Sequence, residues 1–291
     1  MGSGKFEEDR QFWRDVFKDT PVPMEISSRR KMDDLKSDRV VFNVPSGIST
    51  DIFDFCGENG TSVFKTFLSG LYAYLFRATG KNDVVILTGL LNRPEGELEE
   101  ATGMFVNYLP LKIHAEEDAS FGEVLDIAKG VVRSAMEHQR YPYDILAAEL
   151  SEKGTDIKKV SGITLAQQVV SHYPDDVEVE FLPSGESWEG LNIYLSYDER
   201  RNERGIKLII DYRASSFNSE EIRLFAEHIV NIVKDGIADP AKNLYRLKTI
   251  SESEERKLLC EFNDTLMHYP ADRSFVDLFE DRVSKCSDNI A

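Results

Sequence analysis

Two short segments of this 291-residue chain hold the side chains best suited to chemistry. The first, Phe105-Val106-Asn107-Tyr108-Leu109-Pro110, sets a primary amide into a run that otherwise reads as a buried strand. Such an amide either faces a cleft or satisfies backbone at a bulge, and the residues alone leave both open. The second, His138-Gln139-Arg140-Tyr141-Pro142-Tyr143-Asp144, gathers several hydrogen-bonding groups around one turn. The plain reading of His138 there is a cation or cap at a helix C-terminus. Chemistry elsewhere is sparse. His114, His138, His172, His228 and His268 include no adjacent pair and no HExxH spacing, so no histidine-based metal site is expected. Cys56, Cys260 and Cys286 are too few and too scattered for a disulfide framework or a zinc knuckle. Gly185-Glu186-Ser187-Trp188-Glu189-Gly190 has one residue too many for a GxSxG elbow and reads as an acidic loop. Gly2-Ser3-Gly4-Lys5 imitates the end of a phosphate loop, but no strand precedes it and no Ser or Thr follows. The set of self-sufficient catalytic residues is therefore empty.

The elements that must position these groups follow from apolar periodicity. Phe6 to Phe17 reads as a helix ended by Pro21 and Pro23, and RVVFNVP as a short strand. Two helices come next, the second from Thr61 to Arg77 and stopped by Gly80. DVVILTGLL and MFVNYLPLKI read as buried strands, because their apolar residues run on without alternation. A helix spans Phe121 to Glu137, and Pro142 opens another. ITLAQQVV, VEVEF, LNIYLSYD and IKLIIDY read as strands, then Ser219 to Lys234 as a helix with Ile222, Phe225, Ile229 and Val233 on one stripe. This order predicts a mixed α/β domain over residues 6–250, with 1–5 an appended cloning remnant. Residues 251–291 read as a linker and the opening of something else, with helices at Ser251–Phe262 and Ser274–Lys285.

Charge narrows the partners. Thirty-five basic against 52 acidic residues give a net charge of −17, which excludes a general nucleic-acid or anionic-membrane surface. A hydrophobic fraction of 41% supplies a core and excludes disorder as the main state. No apolar run is long enough to span a membrane, and MGSGKFEEDR lacks the apolar centre of a signal peptide, so a cytoplasmic protein with free thiols is expected. Residues 161–199 hold eight acidic residues and no Lys or Arg. They read as a solvated, anionic sheet edge or loop, or as a surface that repels acidic partners except where a basic patch guides them.

The two chemical segments also carry a family resemblance. GMFVNYLPLKI resembles the IGxFVNTLPLR motif of condensation domains from nonribosomal peptide synthetases, and HQRYPYDIL resembles their HQDYPFExL motif. EEDRQFW, SVFKTFLSGLYAYLFRATGKNDVVI and LNRPEGELEEATG are similar to further family segments in the same order. From Ser251 the tail resembles the junction that leads into an adenylation domain. The resemblance implies an α/β, chloramphenicol-acetyltransferase-like lobe with a mixed β-sheet flanked by helices. It covers the C-terminal lobe of such a domain, because the family's HHxxxDG motif has no counterpart in the chain.

What the resemblance implies about function is amide formation. The amine of one carrier-bound substrate attacks the thioester of another, both held on phosphopantetheine arms. Expected partners are the N-terminal lobe, the donor and acceptor carrier proteins and the adjoining adenylation domain. No cofactor is expected to bind the chain directly. Asn107 and Tyr108 are the candidates for lining the substrate tunnel, while His138, Gln139, Tyr141 and Pro142 are expected to brace the neighbouring loop. The stretch 162–195 should include a floor loop and a latch to the other lobe. Tyr108 replaces the family's usual Thr, Lys112 its Arg and Arg140 its Asp, and the last of these inverts a charge. A fragment without HHxxxDG is expected to be inactive alone. The alternatives are a catalytically silent docking platform or a lobe of another acyltransferase of the same superfamily.

Overall fold

The computed structural model describes residues 4–19, 27, 34–92, 102–154, 160, 162–169, 180–187, 190–198, 205–266 and 272–286. Its larger unit ends at Ser251 and is built on one six-stranded mixed sheet. In chain order the elements are α1 (Gly4–Val16), β1 (Ser37–Asn43), α2 (Ser46–Glu58), α3 (Val63–Thr79), β2 (Asp83–Leu90), β3 (Asn107–His114), α4 (Phe121–Glu137) and α5 (Tyr143–Glu152). They continue with β4 (Ile163–Val169), β5 (Leu191–Tyr197), β6 (Lys207–Arg213) and α6 (Ser219–Ala238). The strand order is β1-β6-β5-β4-β2-β3. β4 runs parallel to both β2 and β5, and the other neighbouring pairs are antiparallel. This is the mixed sheet with flanking helices that the sequence predicts.

α3 forms where it does because its ends are well specified. The Ser62 side chain accepts from the Lys65 N–H, and Gly80 closes the helix at φ 66°, with its N–H on the Phe76 carbonyl. Between those caps Phe67, Leu68, Leu71, Tyr72, Leu75 and Phe76 are all buried. The Tyr72 hydroxyl donates to the Asn82 carbonyl at 2.8 Å and accepts from the Ala115 N–H at 3.0 Å. One phenol thus ties the start of β2 to the end of β3, and burial pushes its pKa up to about 12. α4 and α6 each start on a capping box, Ser120 with Glu123 and Asn218 with Glu221.

Two expectations shift. The strand predicted from Met104 begins only at Asn107, because its partner β2 ends at Leu90, which pairs with Asn107. Met104, without a ladder to join, is 91% exposed. The helix predicted from Phe6 starts at Gly4, and Lys5 pairs with Asp9 at 3.0 Å. VEVEF lies mostly outside the described residues, as do 93–101 of the crossover and 170–179 and 188–189 of the stretch expected to hold the floor loop and latch. Ser187 in the acidic loop is buried, and its hydroxyl accepts from Asn192 at 2.9 Å, a packing role.

The smaller unit, Glu252–Ala291, contains α7 (Glu252–Arg256), which widens into a π turn over Lys257–Glu261, and α8 (Phe275–Lys285). Leu259, Phe262, Phe275 and Phe279 are exposed there. Among the described residues no helix is long and apolar enough to cross a membrane.

Close helix packing in the larger unit rests on absent side chains. A Cβ on Gly236 of α6 would lie 2.5 Å from the ring of Phe121, which is itself fully buried. Gly236→Ala is expected to lower the urea-unfolding free energy by about 1–3 kcal/mol through overpacking. An unchanged midpoint would mean that the ring yields.

Candidate functional site

Asn107 opens β3, and its side chain reaches the turn between α4 and α5. Its Nδ2 donates to the carbonyls of Gln139 and Tyr141, each at 2.8 Å, and its Oδ1 accepts the Tyr143 N–H at 3.1 Å. The turn needs this help. Pro142 is the N-cap of α5 and carries neither an N–H nor a capping side chain, so the first-turn N–H of Tyr143 lacks a local acceptor. Asn107 therefore does from another strand what a Ser or Asp cap does locally.

His138 ends α4, with its N–H on the carbonyls of Ala135 and Met136. Its Nδ1 lies 2.7 Å from Asp9 Oδ1, and since a carboxylate only accepts, Nδ1 is the protonated nitrogen. The ring stacks on Phe12 at 4.0 Å, and the His138 carbonyl accepts from Trp13 Nε1 at 3.1 Å. A carboxylate–imidazole pair can orient a general base, but only 13% of this side chain is exposed and the stacked phenyl lies along its ring. What the pair does here is hold α1 against the turn.

A second clasp uses Arg10 and Arg14 of α1. Glu149 of α5 accepts from Arg10 Nε and Nη2, both at 2.8 Å, and from Arg14 Nε at 3.1 Å. Burial alone would raise the Glu149 pKa, but the hydrogen bonds from Arg14 and Arg10 outweigh it and hold the carboxyl below the ordinary glutamate value. Tyr141 is buried beside Phe6, with ring centroids 5.2 Å apart, and its hydroxyl lies next to Glu149 without a well-formed hydrogen bond. Burial first, and then that carboxylate, pushes the phenol's pKa up.

Five of the six residues singled out from sequence thus meet at one corner. Asn107, His138, Gln139, Tyr141 and Pro142 share the clamp, in which Gln139 Nε2 also donates to the Met136 carbonyl at 2.9 Å. Tyr108 points to the other side of β3, is 41% exposed, and has its ring 6.0 Å from that of Tyr143. Sequence reasoning misses Asp9, Arg10, Arg14 and Glu149. The signal for Asp9 is present all the same: it lies four residues before Trp13 and three after Phe6, on the apolar stripe of α1. Among the described residues no cluster of His, Cys, Asp or Glu could hold a metal.

Both motifs of the resemblance therefore close on each other through one side chain, and the sequence model of the condensation-domain family matches residues 1–259. The chain belongs to the condensation-domain family. Surfactin synthase subunit 1 of Bacillus subtilis is 30% identical over 99% of this condensation-domain chain, and gramicidin S synthase 2 of Brevibacillus brevis is 26% identical, also over 99% of it. The chain spans only 8% and 7% of those relatives' lengths. Among solved structures it is similar to the first condensation domain of the calcium-dependent antibiotic synthetase with a substrate analogue. That likeness has a TM-score of 0.70 at 22% identity, over 86% of this chain and 55% of that one. A four-domain nonribosomal peptide synthetase gives a TM-score of 0.79 at 16% identity, over all of this chain and 24% of that one. At these identities the structures establish the fold alone.

Two outcomes are expected. Asn107→Ala leaves two carbonyls and one N–H of the turn without partners and should cost about 2 kcal/mol or more in denaturant unfolding. For Glu149, whose carboxyl titrates lower in the folded chain, the stabilisation is present above the ordinary value near 4.5 and is lost as pH falls through the depressed one. The difference in thermal midpoint between the wild type and Glu149→Gln should therefore shrink as pH falls below that value.

Proposed function

We propose that this chain is the C-terminal lobe of a condensation domain in a nonribosomal peptide synthetase, where it forms one wall of the tunnel in which an amide bond is made. The acceptor's amine attacks the donor thioester carbon, the tetrahedral intermediate collapses with cleavage of the C–S bond, and the donor arm's thiolate leaves and takes up the proton that the amine loses. Both substrates arrive on phosphopantetheine arms of carrier proteins, so this chain binds no cofactor of its own. Holding the two arms end to end supplies much of the rate. The histidine that orients or deprotonates the amine belongs to an N-terminal lobe that carries HHxxxDG.

The observation that carries this reading is the closure of FVNYLPL onto HQRYPYD through Asn107. In it Asn107 is a positioning residue, since both its N–H groups are engaged, and Tyr108 lines the cleft with its exposed ring. Residues 251–291 are a linker and the start of an adenylation domain. That the aligned part of this chain covers 55% of a solved condensation domain supports the lobe assignment. The free thiols of Cys56, Cys260 and Cys286 fit a cytoplasmic setting.

A docking platform without catalysis is the second reading, favoured by the fact that the polar side chains of the clamp are spent on internal bonds. The X-domain from teicoplanin biosynthesis, solved in complex with OxyB, has the same fold at a TM-score of 0.70.

Two measurements test the reading. The isolated chain, incubated with loaded donor and acceptor carriers, should give no condensed product. In the full synthetase, Asn107→Ala should cut condensation at least tenfold and leave adenylation unchanged, at a temperature where circular dichroism shows the variant folded. Product from the isolated chain above background would overturn the lobe reading. Unchanged condensation in the variant would favour the platform.

A further inference from the structure

A slot of about 290 Å³ opens between α1, β3 and α4, and it shares Phe12 and Trp13 with the clamp. Phe12, Trp13 and Val16 line it from α1, Pro110 and Lys112 from β3, and Val131 from α4. At about 30 Å³ per water-sized group, it has room for roughly ten such groups in a row. Its walls are mostly apolar, with Ser134 among them, and Lys112 is the cation among the lining residues.

Among the described residues Lys112 has one loose ion-pair partner. Its side chain is only 15% exposed, yet Asp83, the acid near it, stands 3.7 Å away, half-exposed, and shares that same oxygen with His114 Nδ1 at 3.2 Å. A mostly buried lysine that lines an apolar slot can attract one anionic group that comes closer than this. The net charge of −17 repels polyanions at long range, so the complement is a single negative charge on an apolar body.

The α4 wall supplies an independent observation. Gly130 sits inside the helix, where glycine is unfavourable, and neither packing nor backbone conformation demands it. An added Cβ meets nothing within 4 Å, unlike Gly70 and Gly236, where one would collide with Val233 and Phe121. A residue with a side chain at 130 would project into space that glycine leaves open.

We infer that this slot binds a straight-chain carboxylate of about ten carbons, its tail against Phe12, Trp13 and Val131 and its carboxylate on Lys112 Nζ. The site is separate from the amide-forming reading and does not rest on it.

Trp13 lies in the wall and reports directly. With Trp188→Phe it is the sole tryptophan, and decanoate below its micelle concentration should shift its emission saturably, with one decanoate per chain. Gly130→Phe should weaken binding at least tenfold while leaving the circular dichroism unchanged. Lys112→Met should weaken decanoate at least tenfold and leave neutral 1-decanol unaffected. Asp83→Asn, which removes the competing acid, should tighten decanoate. The proposal is overturned if decanoate gives no saturable shift, or if Gly130→Phe binds as well as the parent. It is equally overturned if decanoate and decanol respond alike to Lys112→Met, which would mean adventitious apolar adsorption only.

Discussion

A proline at a helix start leaves hydrogen-bonding groups that its own turn cannot satisfy, and this corner of the domain is arranged around that fact. Pro142 fixes the backbone between α4 and α5 and holds its preceding residue, Tyr141, out of the helical region. The carbonyls of Gln139 and Tyr141 and the N–H of Tyr143 are then left to outside partners. A primary amide is the one side chain that can serve two acceptors and a donor at once, and Asn107 presents it from the first residue of β3. Asp there would lack the donors, and Ser would lack the reach and one donor.

From that corner the other interactions follow in order. With the turn fixed, His138 ends α4 in a defined place, and its ring and carbonyl become the seat for Asp9, Phe12 and Trp13. Glu149, one element later, receives Arg10 and Arg14. Removing carboxylates from water is costly, and a buried pair is weak evidence of stability by itself. Here each acid has more than one partner: Asp9 takes His138 and Lys5, and Glu149 takes two guanidiniums. The arrangement fixes the rotation and axial position of α1, which apolar contacts through Trp13 and Phe17 alone would fix less sharply.

The parts legible in the sequence are those whose signals are local. α4 falls on its expected approximate span, since an apolar stripe sets its length and the Ser120–Glu123 capping box its start. β5 is equally plain, alternating from Leu191 to Tyr197. The start of β3 is not legible, because the end of a strand depends on its neighbour, and Leu90 is where β2 stops. Asn107 and the HQRYPYD turn stand out as a pair in the sequence, but only their contact tells which atoms are spent. Glu149 carries no signal, since its partners are more than 130 residues distant.

The chemistry proposed for the family suits such a corner. Aminolysis of a thioester needs no metal and little covalent assistance, so a lobe can contribute by geometry alone. A site of that kind is best built from side chains locked by their own hydrogen bonds, because a misplacement of about 1 Å can cost on the order of a hundredfold in rate. In keeping with that, the amides of Asn107 and Gln139 are spent on backbone carbonyls, while the charged Arg140 and Asp144 stay exposed. Asn107 anchors Tyr108 beside it, and the exposed ring of Tyr108 then stands at a position set by three hydrogen bonds it does not itself make.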